Sequence, residues 1–145
     1  MFMTACVPQS KPVIHQTSLA TQAMQTHEFD ANKEVAFAST MSVLQDLGYN
    51  IGAADLGTGF ITGKSPITGG FVLFVGETQS HVSASAFVEA INSNRSRIRL
   101  NFVAEQKTSS GYGMEGGKSN PVEDATVYQQ AFEKISKAIF VRSNS

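Results

Sequence analysis

The stretch GTGFITGKS, Gly57 to Ser65, ends in Gly-Lys-Ser, the signature of a loop whose backbone N–H groups curl around nucleotide phosphates while the lysine reaches over them. That chemistry needs a first glycine five positions before Gly63, and position 58 is Thr58. The loop must also open directly into a helix, whereas Ser65 is followed by Pro66 and ITGG, which bias the chain toward a turn. The sequence therefore predicts a turn at Gly57 and Gly59 followed by a strand, FITGK, and no nucleotide site. Other chemistries also lack their groups. His15, His27 and His81 stand in unrelated contexts, so no zinc ligand set is expected. Asp46, Asp55, Glu77, Glu89 and Glu105 are spread over turns and solvent faces and do not pair for acid–base work. Glu123 and Asp124 open a helix and read as its cap. The expectation is a protein that is not an enzyme and takes no metal or cofactor.

Cys6 is the single cysteine and so forms no intrachain disulfide. It is a buried thiol, a nucleophile or a processed terminus; no histidine is placed to serve as the base a nucleophile needs. Its surroundings, FMTACVPQS, resemble the lipobox that ends a bacterial lipoprotein signal peptide, with small Ala5 just before the cysteine. That resemblance implies that Cys6 becomes the N-terminus and carries lipid, and the following Val7 is compatible with delivery to the outer membrane. Only five residues precede Cys6, where a secretory leader has a basic region and ~7–15 apolar residues, so residues 1–6 are read as the remnant of such a leader.

Residues 7–28 are polar, contain Pro8 and Pro12 and show no sustained period, which predicts a flexible tether, shorter if Val13, Ile14 and Leu19 add a strand or helix to the core. A single domain is expected over 29–142. The formal net charge is −1, with lysines and arginines dispersed, which gives no footprint for nucleic acid. No apolar run approaches bilayer-spanning length.

The domain opens with Phe29 as a staple and Asp30 as N-cap of a helix over Lys33 to Leu47, in which Phe37, Met41, Leu44 and Leu47 form an apolar stripe that Gly48 ends. Short strands follow: YNIGA, FITGK, FVLFVGE (Phe71 to Glu77), HVSASAFVEA and RIRLNFVAEQ. The last two alternate, with Val82, Ala84, Ala86 and Val88 inward on one and Ile98, Leu100, Phe102 and Ala104 on the other. The turn residues of INSNRS join them as an antiparallel hairpin. A glycine- and serine-rich stretch over 107–120 predicts a mobile loop in which Tyr112 and Met114 are the candidate partner contacts. Asn120 as N-cap, Pro121 at the first helical position and Glu123 predict a final helix with Ala125, Tyr128, Phe132, Ile135 and Ile139 on one stripe. Two amphipathic helices and a one-sided sheet bury one another only if both helices share a face. The fold class is thus α+β: about five antiparallel strands with an N-terminal and a C-terminal helix on one side.

The residues FDANKEVAFASTMSVLQDLGYNIGAADLGTGFITGK and NPVEDATVYQQAFEKISKAIFV are similar to a family of uncharacterised bacterial lipoproteins. In that family a helix ending in Leu-Gly-Tyr leads through an Asp and Gly turn to a threonine-containing strand, and a Tyr-Gln helix closes the domain. The arrangement also resembles the helix-grip domains of BamC-type lipoproteins. The resemblance implies a fold and a periplasmic location at the membrane, and no catalytic residue.

Two functions remain in view. One is a noncatalytic, membrane-tethered periplasmic lipoprotein with a structural or protein-interaction role, which predicts a packed core and an exposed apolar patch or sheet edge. The other is a small-ligand module with an apolar pocket between helices and sheet, lined by Phe71, Phe74, Phe102 and Phe132.

Overall fold

The computed structural model describes residues 18–72, 76–109 and 115–144. In chain order the elements are α1 (Ser18–Gln25), β1 (Thr26–Phe29), α2 (Lys33–Asp46), β2 (Asn50–Asp55), β3 (Phe60–Lys64), β4 (Thr68–Val72), β5 (Gly76–Asn92), β6 (Arg95–Ser109), β7 (Glu115–Pro121) and α3 (Ala125–Ser143). The expected α+β architecture is present: one antiparallel sheet, in the order β1-β6-β5-β3-β2, with β4 adding to β5 and β7 to β6. Among the described residues it has seven strands, against the expected five or so.

The hairpin β5–β6 is the spine. Its strands run in register from Glu77 opposite Ser109 to Asn92 opposite Arg95, with one irregularity near the tip. Along it Ala84, Ala86, Val88, Ile98, Leu100 and Phe102 are buried on one face, and Ile61 of β3 joins them. Side chains two apart share a face, so this alternation leaves a continuous apolar floor. Onto it pack Phe37, Val43 and Leu44 of α2 and Tyr128, Phe132, Ile135 and Ile139 of α3.

The interval between β2 and β3 behaves as the glycines predict. Gly59 has φ +84, and a Cβ there would sit 2.1 Å from the carbonyl oxygen of Val88, so only a residue without a side chain lets β3 lie against β5. Gly63 and Lys64 belong to β3, paired with Ala84 and Ser83, which disposes of the phosphate-loop resemblance.

Several expectations change. The tether read over 7–28 is already folded from Ser18: α1 leads into β1, which pairs with residues 96–99 of β6. Sequence period could not show this, because four residues with burial alternating only at Phe29 carry almost no pattern. The N-cap of α2 is Asn32, whose Oδ1 accepts from the Val35 N–H at 2.8 Å, rather than Asp30. Ser96 Oγ donates to the Ala31 carbonyl at 2.7 Å and holds the chain just before that cap. The loop over 107–120 is in part strand: Glu115 to Pro121 pairs with Val103 to Ser109. Asn120 and Pro121 therefore end β7 instead of opening α3, and Asp124 caps that helix by accepting from the Thr126 N–H. Proline is tolerated there because β7 is an edge strand. Ala104, expected inward, is exposed, while Val82 opposite it is partly buried against the core.

Candidate functional site

The face of the sheet away from the helices carries the chemistry. Phe60, Thr62 and Lys64 of β3, Ser83, Ser85 and Phe87 of β5, and Arg99, Asn101 and Glu105 of β6 alternate with the buried row and so point to that side. They form two groups.

At one end Phe60 and Phe87, opposite each other in register, stack with ring centroids 4.6 Å apart and planes at 29°. Phe60 is 53% exposed, so the pair is a surface platform rather than core. A groove of about 500 Å³ runs from these rings past Ser85, Arg99 and Asn101 to Gln25 at the end of α1. At the other end His81 Nε2 contacts Glu105 Oε2, and Ser83 Oγ donates to the same oxygen at 3.0 Å. The Ser83 hydrogen bond, with His81 and the charge of Lys64, holds the Glu105 carboxyl below its ordinary value. Serine and histidine thus converge on the carboxylate and not on each other. Among the described residues no three His, Cys, Asp or Glu side chains gather as metal ligands.

Along β6, the edge changes partner between these two groups. β1 pairs with residues 96–99 and β7 with 103–109, which among the described residues leaves Leu100 to Phe102 without a strand neighbour on that side. Side chains fill the interruption. Tyr128, fully buried, accepts from the Phe102 N–H at 3.2 Å and donates to the Val122 carbonyl at 2.9 Å, while Gln25 Nε2 lies 3.4 Å from both Tyr128 Oη and Asn101 Oδ1. The Val122 N–H in turn donates to the Phe102 carbonyl. Tyr128 had been legible only as a stripe residue of α3; its hydroxyl role depends on where two edge strands stop, which no local pattern encodes.

Of the other sequence candidates, Phe102 is buried and packs against Tyr49 and Tyr128, with centroids 5.8 and 5.3 Å away. Phe132 is also buried, grouped with Phe29 and His27 at the side of a groove between α1, β1 and α3. The structure does not bring Phe102 and Phe132 to one cavity. Cys6, Phe74, Tyr112 and Met114, and the side chain of Phe71, lie outside the described residues. Among the described residues no helix is long and apolar enough to cross a membrane.

No protein-family model matches the chain, and no curated protein sequence matches it. Among solved structures it is similar to a DUF4468 family protein from Bacteroides ovatus ATCC 8483, with 10% identity and a TM-score of 0.42, over 79% of this chain and 84% of that one.

Proposed function

We propose that this chain is a noncatalytic interaction domain of the bacterial cell envelope, a lipoprotein attached to the outer membrane through lipid on Cys6 and facing the periplasm. The observation that carries the interaction reading is the far end of the β5–β6 hairpin. There the sheet continues as β4-β5-β6-β7 past the end of the helix layer, with Ala104 exposed on the helix side and Gln106 and Lys107 exposed beyond it. Among the described residues the β7 edge from Gly116 to Pro121 is exposed, and such an edge offers backbone and side-chain contacts to a partner strand or surface. The lipid anchor is supported by the residues around Cys6. The small-ligand reading, a pocket between helices and sheet, has less support, because Phe102 fills the core instead of lining a cavity.

The test uses the full-length protein in its own cells with a photo-crosslinking residue at position 106 or, as a control, at position 137 on the exposed side of α3. The proposal expects one discrete adduct from 106, none from 137, and both proteins in the membrane fraction unless Cys6 is replaced by Ala. Equal crosslinking from both positions would overturn the interaction surface. Membrane association unaffected by C6A would overturn the anchor.

A further inference from the structure

Three arginines project from one strand of the hairpin, and their surroundings differ. Arg95 lies 3.0 Å from Glu28 and 4.0 Å from Asp30. Arg97 lies 3.0 Å from Glu28 and 3.9 Å from Glu89. Arg99, two residues further along the same face, has no carboxylate within ion-pair distance among the described residues, and its neighbour in register is Phe87. It opens into the 500 Å³ groove whose other wall is the Phe60–Phe87 stack.

We infer that this groove binds a carboxylate joined to an apolar group, the carboxylate on Arg99 and the apolar part on the two phenylalanine rings. The guanidinium presents parallel N–H donors that match a carboxylate in a two-point contact. The rings supply an apolar surface that is held in place by its own stacking, so little ordering is needed when a ligand arrives. Asn101 and Gln25 line the floor with amide groups already held by their mutual contact at 3.4 Å. Glu123 on the rim opposes a second negative charge, which disfavours phosphate-rich polymers and favours a monoanion. A volume of this size suits a ligand of a few to a few tens of atoms.

Two sources share this chemistry: the C-terminal residue of a protein partner with an apolar side chain, and a free apolar carboxylic acid. The first would deepen the proposed interaction role by naming what the partner presents, and that part rests on the interaction reading; the second does not.

The experiment is an NMR titration of the isotope-labelled full chain with four probes: hydrocinnamate, hydrocinnamamide, and the peptide acetyl-Gly-Gly-Phe as free acid and as C-terminal amide. The inference expects saturable shifts at the amides of Phe60, Phe87 and Arg99 with the acids. It expects about tenfold weaker binding of each amide, the ratio that one charge-assisted contact readily sustains. Arg99→Gln should remove the preference for acid over amide while leaving the remaining spectrum in place. A peptide acid that binds more tightly than hydrocinnamate identifies a chain terminus as the ligand; equal or tighter binding of hydrocinnamate identifies a free acid. Equal binding of acids and amides to the unmodified chain, absence of saturation, or an unchanged preference in Arg99→Gln would overturn the inference. The crosslinks from position 106 are read independently, so loss of one result leaves the other standing.

Discussion

One hairpin carries two different surfaces. Between Ser83 and Phe102 the strands of β5–β6 alternate strictly, with Ala84, Ala86, Val88, Ile98, Leu100 and Phe102 buried under α2 and α3. Between Thr78 and Val82, and again from Ala104 to Thr108, the same two strands have no buried residue, although their backbone pairing continues in register. Backbone hydrogen bonding is thus equal along the hairpin and only side-chain burial differs. The covered half owes its stability to apolar area removed from water, and the bare half to ladder hydrogen bonds that water competes with. Burial and exposure of side chains are divided along a single pair of strands.

That division can be tested from its strongest consequence downward. Ile98→Ala removes a fully buried side chain from the covered half and should cost about 2–5 kcal/mol, measured by denaturant unfolding. A loss below about 1 kcal/mol would mean that this half is not the stability core. Tyr128→Phe should cost about 1–3 kcal/mol, because the buried Phe102 N–H and Val122 carbonyl both lose a partner. Amide exchange near Phe102 should accelerate in that variant. Gln106→Ala, in the bare half, should change global stability by less than about 0.5 kcal/mol. In the unmodified chain, amides of β6 beyond Ala104 should exchange through local opening and those at Ile98 and Leu100 only through global unfolding.

Acid gives the smallest and most even effect. The hydrogen bond from Arg97, backed by Arg95, holds the Glu28 carboxyl below its ordinary value of 4.5, as Ser83 and His81 do for Glu105. A carboxyl depressed in the folded state stabilises fully above its unfolded value and ceases to do so as pH falls through the lower folded value. Stability should therefore decline below about pH 4.5 at both places. Both groups are exposed, so the decline is shallow. Glu28→Gln should flatten it in the exchange of β1 amides, and Glu105→Gln in those around His81. If E28Q altered the exchange of both regions equally, the two halves would not be energetically separate.

How much of this was legible follows the same line. The covered half was readable because burial imposes period: the stripe of α2, the alternation of β5 and β6 and the stripe of α3 each announce themselves. Gly57 and Gly59 announced their turn, and Gly59 is confined to glycine by the Val88 carbonyl 2.1 Å from where a Cβ would sit. The bare half was unreadable for the complementary reason. The segment EGGKSNP, exposed from Gly116 to Pro121, is rich in residues that favour turns, so it reads as loop, and only pairing with the edge of β6 makes it a strand. β1 was hidden in the polar stretch before Phe29 because its four residues are specified by Arg95, Arg97 and Ser96 across the ladder, about seventy positions away. The candidate groove was half legible. The alternation that turns Ile98, Leu100 and Phe102 inward leaves Arg99 and Asn101 on the other face, whereas the Phe60–Phe87 stack requires knowing that β3 lies beside β5 with no slip. Hydrophobicity alone marks Phe102 and Phe132 for a pocket wall, and the same property sends Phe102 into the core.

Were the domain pulled from its N-terminal side, the interrupted edge of β6 would set where the load enters. A pull from the N-terminal side reaches α1 first and then Gln25, which is braced against Tyr128 and Asn101 before β1 begins. Tension is thus handed to the long helix α3 and to the middle of β6 before the four-residue ladder of β1 has to bear it. A domain hung from one end by such a junction would yield by releasing α1, with the packed half intact behind it.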